Sequence, residues 1–264
     1  MANLSATISP LIAGLLLASS FLLACESEAQ YRTDRNPIYW EIHDEDRPQP
    51  PVVDPGPSPE NPAPIPSDAI VLFDGSDVDA WAGMDGGEAP WNLRDGILEV
   101  EPGSGDIQTR DGFGDVQVRV EWRVPEDIEG EGQGRGNSGV FLMGLYEVQV
   151  LDSYENETYP DGQAASIYGQ YPPLVNAMRP PGEWQEYDIY FERPRFDDDG
   201  EVVRPAKATV FHNGVLVLEG VKLTGPVGHY ERPRYQEHDS RMPLRLQDHG
   251  DLVQFRQIWV RDLE

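Results

Sequence analysis

The sequence predicts an all-β domain folded as a two-sheet sandwich of jelly-roll type. Three observations predict it. Short segments of alternating apolar and polar residues recur between turn signals from residue 68 to residue 264. No convincing amphipathic helix interrupts them. About ten or more strands in one domain must either close into a barrel or form two packed sheets.

The elements follow in order. Residues 69–75, AIVLFDG, open the domain. Residues 91–101, WNLRDGILEVE, read as a hairpin with Asp95-Gly96 at its turn. Residues 115–124 alternate strictly, with Val116, Val118, Val120, Trp122 and Val124 on one face and Gln117, Arg119, Glu121 and Arg123 on the other. Residues 138–144 and 145–152 follow almost without a gap. WQEYDIYFERP, KATVFHNGVLVLEG with Asn213-Gly214 at its turn, PLRLQDHG and LVQFRQIWVR complete the set. The polar faces are rich in Arg, Glu and Gln, so a curved sheet could present a groove of hydrogen-bonding groups; a solvated outer face is the plainer alternative. Trp81, Trp91, Trp122, Trp184 and Trp259 fall in strand patterns and are assigned to the core. Asp197-Asp198-Asp199-Gly200 lies between two strand-like runs and reads as a hairpin turn; a structural calcium there would need six or more oxygens from one short loop.

The flanks carry different information. Residues 1–25 hold an apolar run too short for a lasting membrane span, ending in Leu22-Leu23-Ala24-Cys25. That ending resembles the lipobox of a bacterial lipoprotein signal peptide, which implies lipidation of Cys25, the single cysteine, and an exported, membrane-anchored protein (periplasmic or cell-surface); an ordinary secretory signal with a chance cysteine is the plainer alternative. Residues 26–67 are Pro-dense in their second half and read as a disordered, extended tether. The patch with Tyr39 and Trp40 could dock, but a solvated linker is expected. The tether holds nine acids and three arginines, a net of −6, which leaves −21 of the chain's −27 on the domain. Such a charge repels phosphate backbones and argues against nucleic acid as a partner.

One stretch resists the strand pattern. In YEVQVLDSYENE, Tyr146, Val148 and Val150 alternate with Glu147 and Gln149, so Asp152 should point to the apolar side. Either the strand ends at Leu151, or a bulge returns Asp152 to the face of Glu147. The bulge would place two carboxyls and an amide on one open face, an arrangement suited to cleaving carbohydrates.

Several segments in order resemble the 3-keto-disaccharide hydrolase family. They are LFDGSDVDAW, EWRV, GNSGVFLMGLYEVQVLDS, GQYPP, GEWQEYDIYFERPRFDDDG, HNGV and PLRLQDHG with DLVQFRQIWVR, spanning essentially the whole domain. The resemblance implies a concanavalin-like or laminarinase-like jelly roll and a saccharide substrate already oxidised to a ketone at C3. Glu147, Gln149 and Asp152 also sit at the offsets of the Glu-x-Asp-x-x-Glu strand of retaining jelly-roll glucanases, but the middle acid is an amide and the last is shorter. That departure disfavours ordinary double displacement, which needs two tuned carboxyls ~5–5.5 Å apart.

A C3 ketone makes the C2 proton acidic, and elimination followed by hydration needs only a base, an acid and donors for the enolate oxygen. Glu147 or Asp152 is expected as the base. His249 is the next acid–base candidate. Arg123 and Gln149 could donate to the ketone or hydroxyls, and Tyr168 and Asn137 could line the groove. The bland readings stand beside these. Asp152 would end its strand, Asn137 would cap a loop, Asp248-His249-Gly250 would be a plain turn, and Arg123 would pair with Glu121. A noncatalytic sugar-binding module and a conventional retaining β-glucanase are the alternatives to the 3-keto enzyme. No nucleotide-binding Gly-rich motif occurs, so a separate oxidoreductase is expected to supply the ketone, and no cofactor is expected.

Overall fold

The computed structural model describes residues 39–264. Cys25 lies outside the described residues. In chain order the strands are β1 (Ile70–Phe73), β2 (Trp81–Gly83), β3 (Asn92–Arg94), β4 (Ile97–Glu99), β5 (Ile107–Phe113), β6 (Val116–Arg123), β7 (Ser138–Leu142), β8 (Tyr146–Val150), β9 (Gln185–Glu192), β10 (Arg195–Phe196), β11 (Val202–Arg204), β12 (Lys207–His212), β13 (Val215–Lys222), β14 (Met242–Leu246) and β15 (Gln254–Asp262). Among the described residues the remaining regular structure is two single 3-10 turns. One sheet runs β13-β12-β9-β6-β15-β4-β3, with β1 added to β15, and the other runs β2-β5-β14-β7-β8. Both are antiparallel, and they pack as the two-sheet sandwich that the alternation predicted.

The core is what the apolar faces of these strands bury together. Val118, Val120 and Trp122 of β6, Val148 and Val150 of β8, Leu246 of β14 and Phe255, Ile258 and Val260 of β15 are completely covered in one cluster. Each such side chain contributes about 1.5–3 kcal/mol by leaving water. Trp81, Trp91, Trp122 and Trp259 are buried as expected. The Asp95-Gly96 and Asn213-Gly214 pairs both take positive φ, 52° and 74°, then 54° and 77°. Two left-handed residues in a row are the mirror-image turn whose twist matches that of the flanking strands. The acidic loop is a hairpin between β10 and β11, in which Asp197 Oδ1 accepts from the Asp199 and Glu201 amides at 3.1 and 3.0 Å. Among the described residues no three His, Cys, Asp or Glu side chains come together as a cation would require.

The polar face of β6 makes no sugar groove. Its side chains are used up by neighbouring strands: Gln117 by Asp188 and Tyr190, Arg119 by Glu186, Glu121 by Arg256 at 2.6 Å, and Arg123 by Gln254 at 2.6 Å. Trp184 lies against the guanidinium groups of Arg123 and Arg256, at 4.5 and 4.3 Å from its ring. Arg123 is therefore part of a cross-strand network and does not line the cleft described below. Its expected pairing with Glu121 is replaced, because the register sets Arg256 opposite Glu121 and Gln254 opposite Arg123.

The expected solvated tether is corrected over its described part. His43 and Arg47 are buried against the domain. The Val53 amide donates to Asn176 O, and the Asn176 amide to Pro51 O, each at 2.9 Å. Gln49 Nε2 donates to Thr158 O at 2.8 Å, and Arg179 Nε to Gly56 O at 2.9 Å. The physical reason is complementary need. An extended Pro-rich segment leaves its own main-chain groups unpaired, and the domain loops supply partners for several of them. In return the buried Asp161 carboxylate receives His43 and Arg47. We call residues 40–57 the strap.

Candidate active site

The alternation of β8 places Glu147 and Gln149 opposite its core residues. Strand β7 aligns Phe141 with Glu147 and Gly139 with Gln149, and β14 aligns Arg245 with Phe141. With Asn137, Gln247, Tyr168, His229 and His249, these side chains line a cleft of about 280 Å³ on the outer face of the five-stranded sheet. Strand β8 is the sheet edge, but it is not left bare. The loop after it pairs with it, the Gln149 amide donating to Ser166 O at 3.0 Å and the Tyr168 amide to Glu147 O at 3.3 Å. That pairing carries Tyr168 to the wall of the cleft.

Glu147 is buried almost completely, which pushes its carboxyl up to about 8; the Arg245 charge pulls the other way but does not prevail. One end of the Gln149 amide lies 2.9 Å from Glu147 Oε1. An ionised Glu147 selects the amide orientation that turns nitrogen toward it. A protonated Glu147 selects the other, donating to the amide oxygen while Gln149 Nε2 faces Asn137 Oδ1 at 3.3 Å and Gln133 Oε1 at 3.2 Å. The amide can thus follow the proton on Glu147 in either state. Arg245 lies over the Phe141 ring at 3.9 Å and is ion-paired to Asp106 at 3.3 Å. The Tyr168 hydroxyl bonds the Tyr159 hydroxyl at 2.8 Å and His229 Nδ1 at 3.1 Å. Burial raises the Tyr168 phenol well above its ordinary range. His229 is lowered, first by desolvation and then by the charges of His43 and His249.

Of the residues expected at the site, Glu147, Gln149, Asn137, Tyr168 and His249 converge here. His249 sits at the rim beyond Asp248, whose carboxylate accepts from the Gly250 amide at 3.0 Å, so that stretch is both a turn and a wall. Asn137 likewise serves both readings, since its Nδ2 donates to Gln133 O at 2.8 Å. Asp152 does not join them. Strand β8 ends at Val150 without a bulge, and Asp152 turns inward to an ion pair with Arg135 at 2.8 Å, while its Oδ1 accepts from the Tyr154 amide at 3.0 Å. It holds the loop. Sequence pattern missed Arg245, Gln247 and His229. Arg245 and Gln247 alternate with Leu244 and Leu246, which is a usable signal; His229 lies in a loop without pattern. A larger cavity of about 850 Å³ is lined by the strap and the loops around residues 153–157 and 176–180; its walls carry prolines, acids, the amides of Gln49, Asn156, Gln163 and Asn176, and Arg179, but no histidine.

Gly139 makes the cleft possible. A Cβ there would stand 2.5 Å from Glu147 Oε1 and 2.7 Å from the Phe141 ring. Gly139→Ala is expected to leave the fold intact and to lower kcat about 10- to 100-fold by displacing the carboxyl. Steady-state kinetics beside a thermal melt check this.

A family model described as a 3-keto-alpha-glucoside-1,2-lyase-like domain matches residues 68–261. The chain belongs to this family. A 3-keto-disaccharide hydrolase of Bacteroides thetaiotaomicron is 27% identical over 255 residues, covering 76% of this chain and 81% of that protein. A crystal structure of a candidate glycosyl hydrolase from Parabacteroides distasonis is 48% identical, with a TM-score of 0.73, covering 75% of this chain and 84% of that one. Another from the same organism, at 20% identity and a TM-score of 0.55, covering 75% of this chain and 94% of that one, shows the shared fold. Membership makes the chain a glycoside hydrolase-like enzyme, and the cleft on the five-stranded sheet brings Glu147, Tyr168, His229, Arg245 and His249 together. The strap lies outside the matched residues.

Proposed function

We propose that the enzyme cleaves 3-keto-glycosides by removing the C2 proton, eliminating the C1 substituent and hydrating the product. One arrangement carries this reading: buried Glu147 and the His229 imidazole, held by the Tyr168 hydroxyl, face one cavity, which pushes the carboxyl up and the imidazole down. Environments that separate two titratable groups in this way assign an acid and a base. Desolvation favours the proton on Glu147 and disfavours it on His229.

The steps balance. In the tautomer this step requires, His229 Nδ1–H donates to the Tyr168 hydroxyl 3.1 Å away, leaving the Nε2 lone pair for the C2 proton. The C2–H electrons form an enolate across C2 and C3, whose oxygen the Arg245 guanidinium stabilises. The C1–O bond breaks, and the departing oxygen takes the proton of Glu147. The product is an enone with a C1–C2 double bond. Glu147 is now ionised and His229 protonated, the states needed to run the addition. Water gives a proton to Glu147 as its oxygen joins C1, and His229 returns a proton to C2. The net reaction is hydrolysis, and no glycosyl-enzyme bond is formed. The ketone is made by a separate oxidoreductase, and the lipobox-like Cys25 anchors the enzyme at a membrane surface.

The test uses the whole chain with a 3-keto-glucoside bearing a chromogenic leaving group, and the parent glucoside as control. Release only from the keto substrate is expected, with deuterium entering C2 in heavy water. His229→Ala is expected to lower kcat by about 10²- to 10⁴-fold. Equal release from the parent glucoside, or turnover without C2 exchange, would sink the elimination.

A further inference from the structure

His43 comes from the strap, outside the residues that define the family, yet it sits directly behind the cleft. Its ring stacks on Tyr159 at 3.9 Å and lies 4.9 Å from the Tyr168 ring and 5.4 Å from the His229 ring. Tyr168 and His229 are walls of the cleft, and their hydrogen bond sets the direction of the imidazole. The imidazole of His43 is itself fixed. Its Nδ1 meets Asp161 Oδ1 at 3.3 Å, and its main-chain amide donates to Asp161 Oδ2 at 3.2 Å. Asp161 is fully buried, and the side chains ion-paired with it, at 3.3 and 3.8 Å, are His43 and Arg47 of the strap. Nε2 of His43 is buried with no hydrogen-bond partner among the described residues. An orphaned polar atom at this place is costly, and an apolar ring would fill the same space without that cost. The imidazole nevertheless supplies what an apolar ring cannot, a donor to Asp161.

We propose that the strap is a working part of the active site: His43, anchored on Asp161, is a positioning residue that braces the Tyr168–His229 pair from behind. The brace is the ring, held in place by its stack on Tyr159 and by the main-chain amide of residue 43 on Asp161, neither of which needs the imidazole nitrogen. Without the ring, Tyr168 and Tyr159 lose the surface they pack against, and the His229 imidazole loses its fixed direction toward substrate. A misplacement of about 1 Å in a reacting group costs about 10²-fold. The inference rests on the reading of His229 as the base.

The experiment compares His43→Asn and His43→Phe in the whole chain on the keto-glucoside. Asn keeps a donor for Asp161, protects the fold and removes the ring. It is expected to lower kcat about 10- to 100-fold with KM within about twofold and an unchanged melt. Phe restores the ring but not the donor to buried Asp161, so it is expected to lower the melting temperature while recovering kcat, measured well below that temperature, to within about threefold of the wild type. Wild-type kcat in His43→Asn overturns the proposal. So does a rise in KM with kcat unchanged, or equal impairment in Asn and Phe. A loss that tracks a lowered melting temperature in both variants assigns His43 to folding alone and overturns it too. If the wild type leaves the keto-glucoside intact, the site reading has failed and takes this inference with it. If the wild type cleaves it and His43→Asn is unimpaired, the brace alone has failed.

Discussion

Glu147→Gln is expected to lower kcat/KM on a 3-keto-glucoside by about 10²- to 10⁴-fold, the usual weight of a positioned acid, and to make the protein more stable at pH 8 than the wild type. The two effects have one cause. Folding moves this carboxyl from its ordinary 4.5 to about 8 because the cleft desolvates it. The folded state therefore binds the proton more tightly than the unfolded chain does. The stability that Glu147 contributes is fully present below pH 4.5 and is lost as pH rises through about 8. At pH 7 the unfolded chain has already released a proton that the fold retains, a difference of about 3 kcal/mol. Gln has the shape of the neutral acid and can pair amide to amide with Gln149, so it removes this dependence. Melts at pH 5 and pH 8 read it directly: the gap in Tm between variant and wild type should widen toward pH 8. A gap that does not change with pH would mean that Glu147 is ionised in the fold and cannot be the acid.

Much of the fold could be read from local pattern, and the reason is visible at β6. Its alternation set Val118, Val120 and Trp122 inward, and that one decision fixes a strand in the middle of a sheet. The two Asx-Gly turns were as legible, because the left-handed pair they need is available at little cost to few residues. What pattern could not reveal was which polar face stays open. Gln117 to Arg123 and Glu147 to Gln149 are alike in sequence. The β6 set is quenched by Asp188, Glu186, Arg256 and Gln254 from strands distant in the chain, whereas the β8 pair opens from an edge strand into a cleft. Register across β6 and β15 decides this, and register is a tertiary fact.

The site divides along the same line. Glu147 and Gln149 followed from strand alternation. Asp152 broke the pattern because it leaves the strand. Its carboxylate faces Arg135, which precedes β7 while Asp152 follows β8, and no periodicity encodes a pair that closes across a whole hairpin. His43 was less legible still. It sits in a polar, Pro-rich run whose composition argues for a solvated chain. The run packs because a buried Asp161 and the loop amides around Asn176 supply partners that composition does not register.

Arg245 is where the other large effect is expected, and two substitutions divide its roles. Its guanidinium is held between Phe141 and Asp106, which presents a planar fork to the cleft at a defined angle. An enolate oxygen develops charge during proton removal, and loss of one such preorganised donor costs about 10²- to 10³-fold in kcat. Arg245→Lys keeps the charge but loses the fork and its stacking on Phe141. It should lower kcat by that amount and leave the alkaline limb of the pH profile where it was. Arg245→Gln removes the charge as well. Because Arg245 is the group that lowers Glu147, and Asp106 raises it, the carboxyl should titrate higher and the alkaline limb of kcat/KM should move up in pH. A loss of kcat shared by both variants, with the limb displaced only in Gln, would show one residue doing two separable things: holding the enolate, and keeping its acid partner close enough to neutrality to give up a proton and take it back.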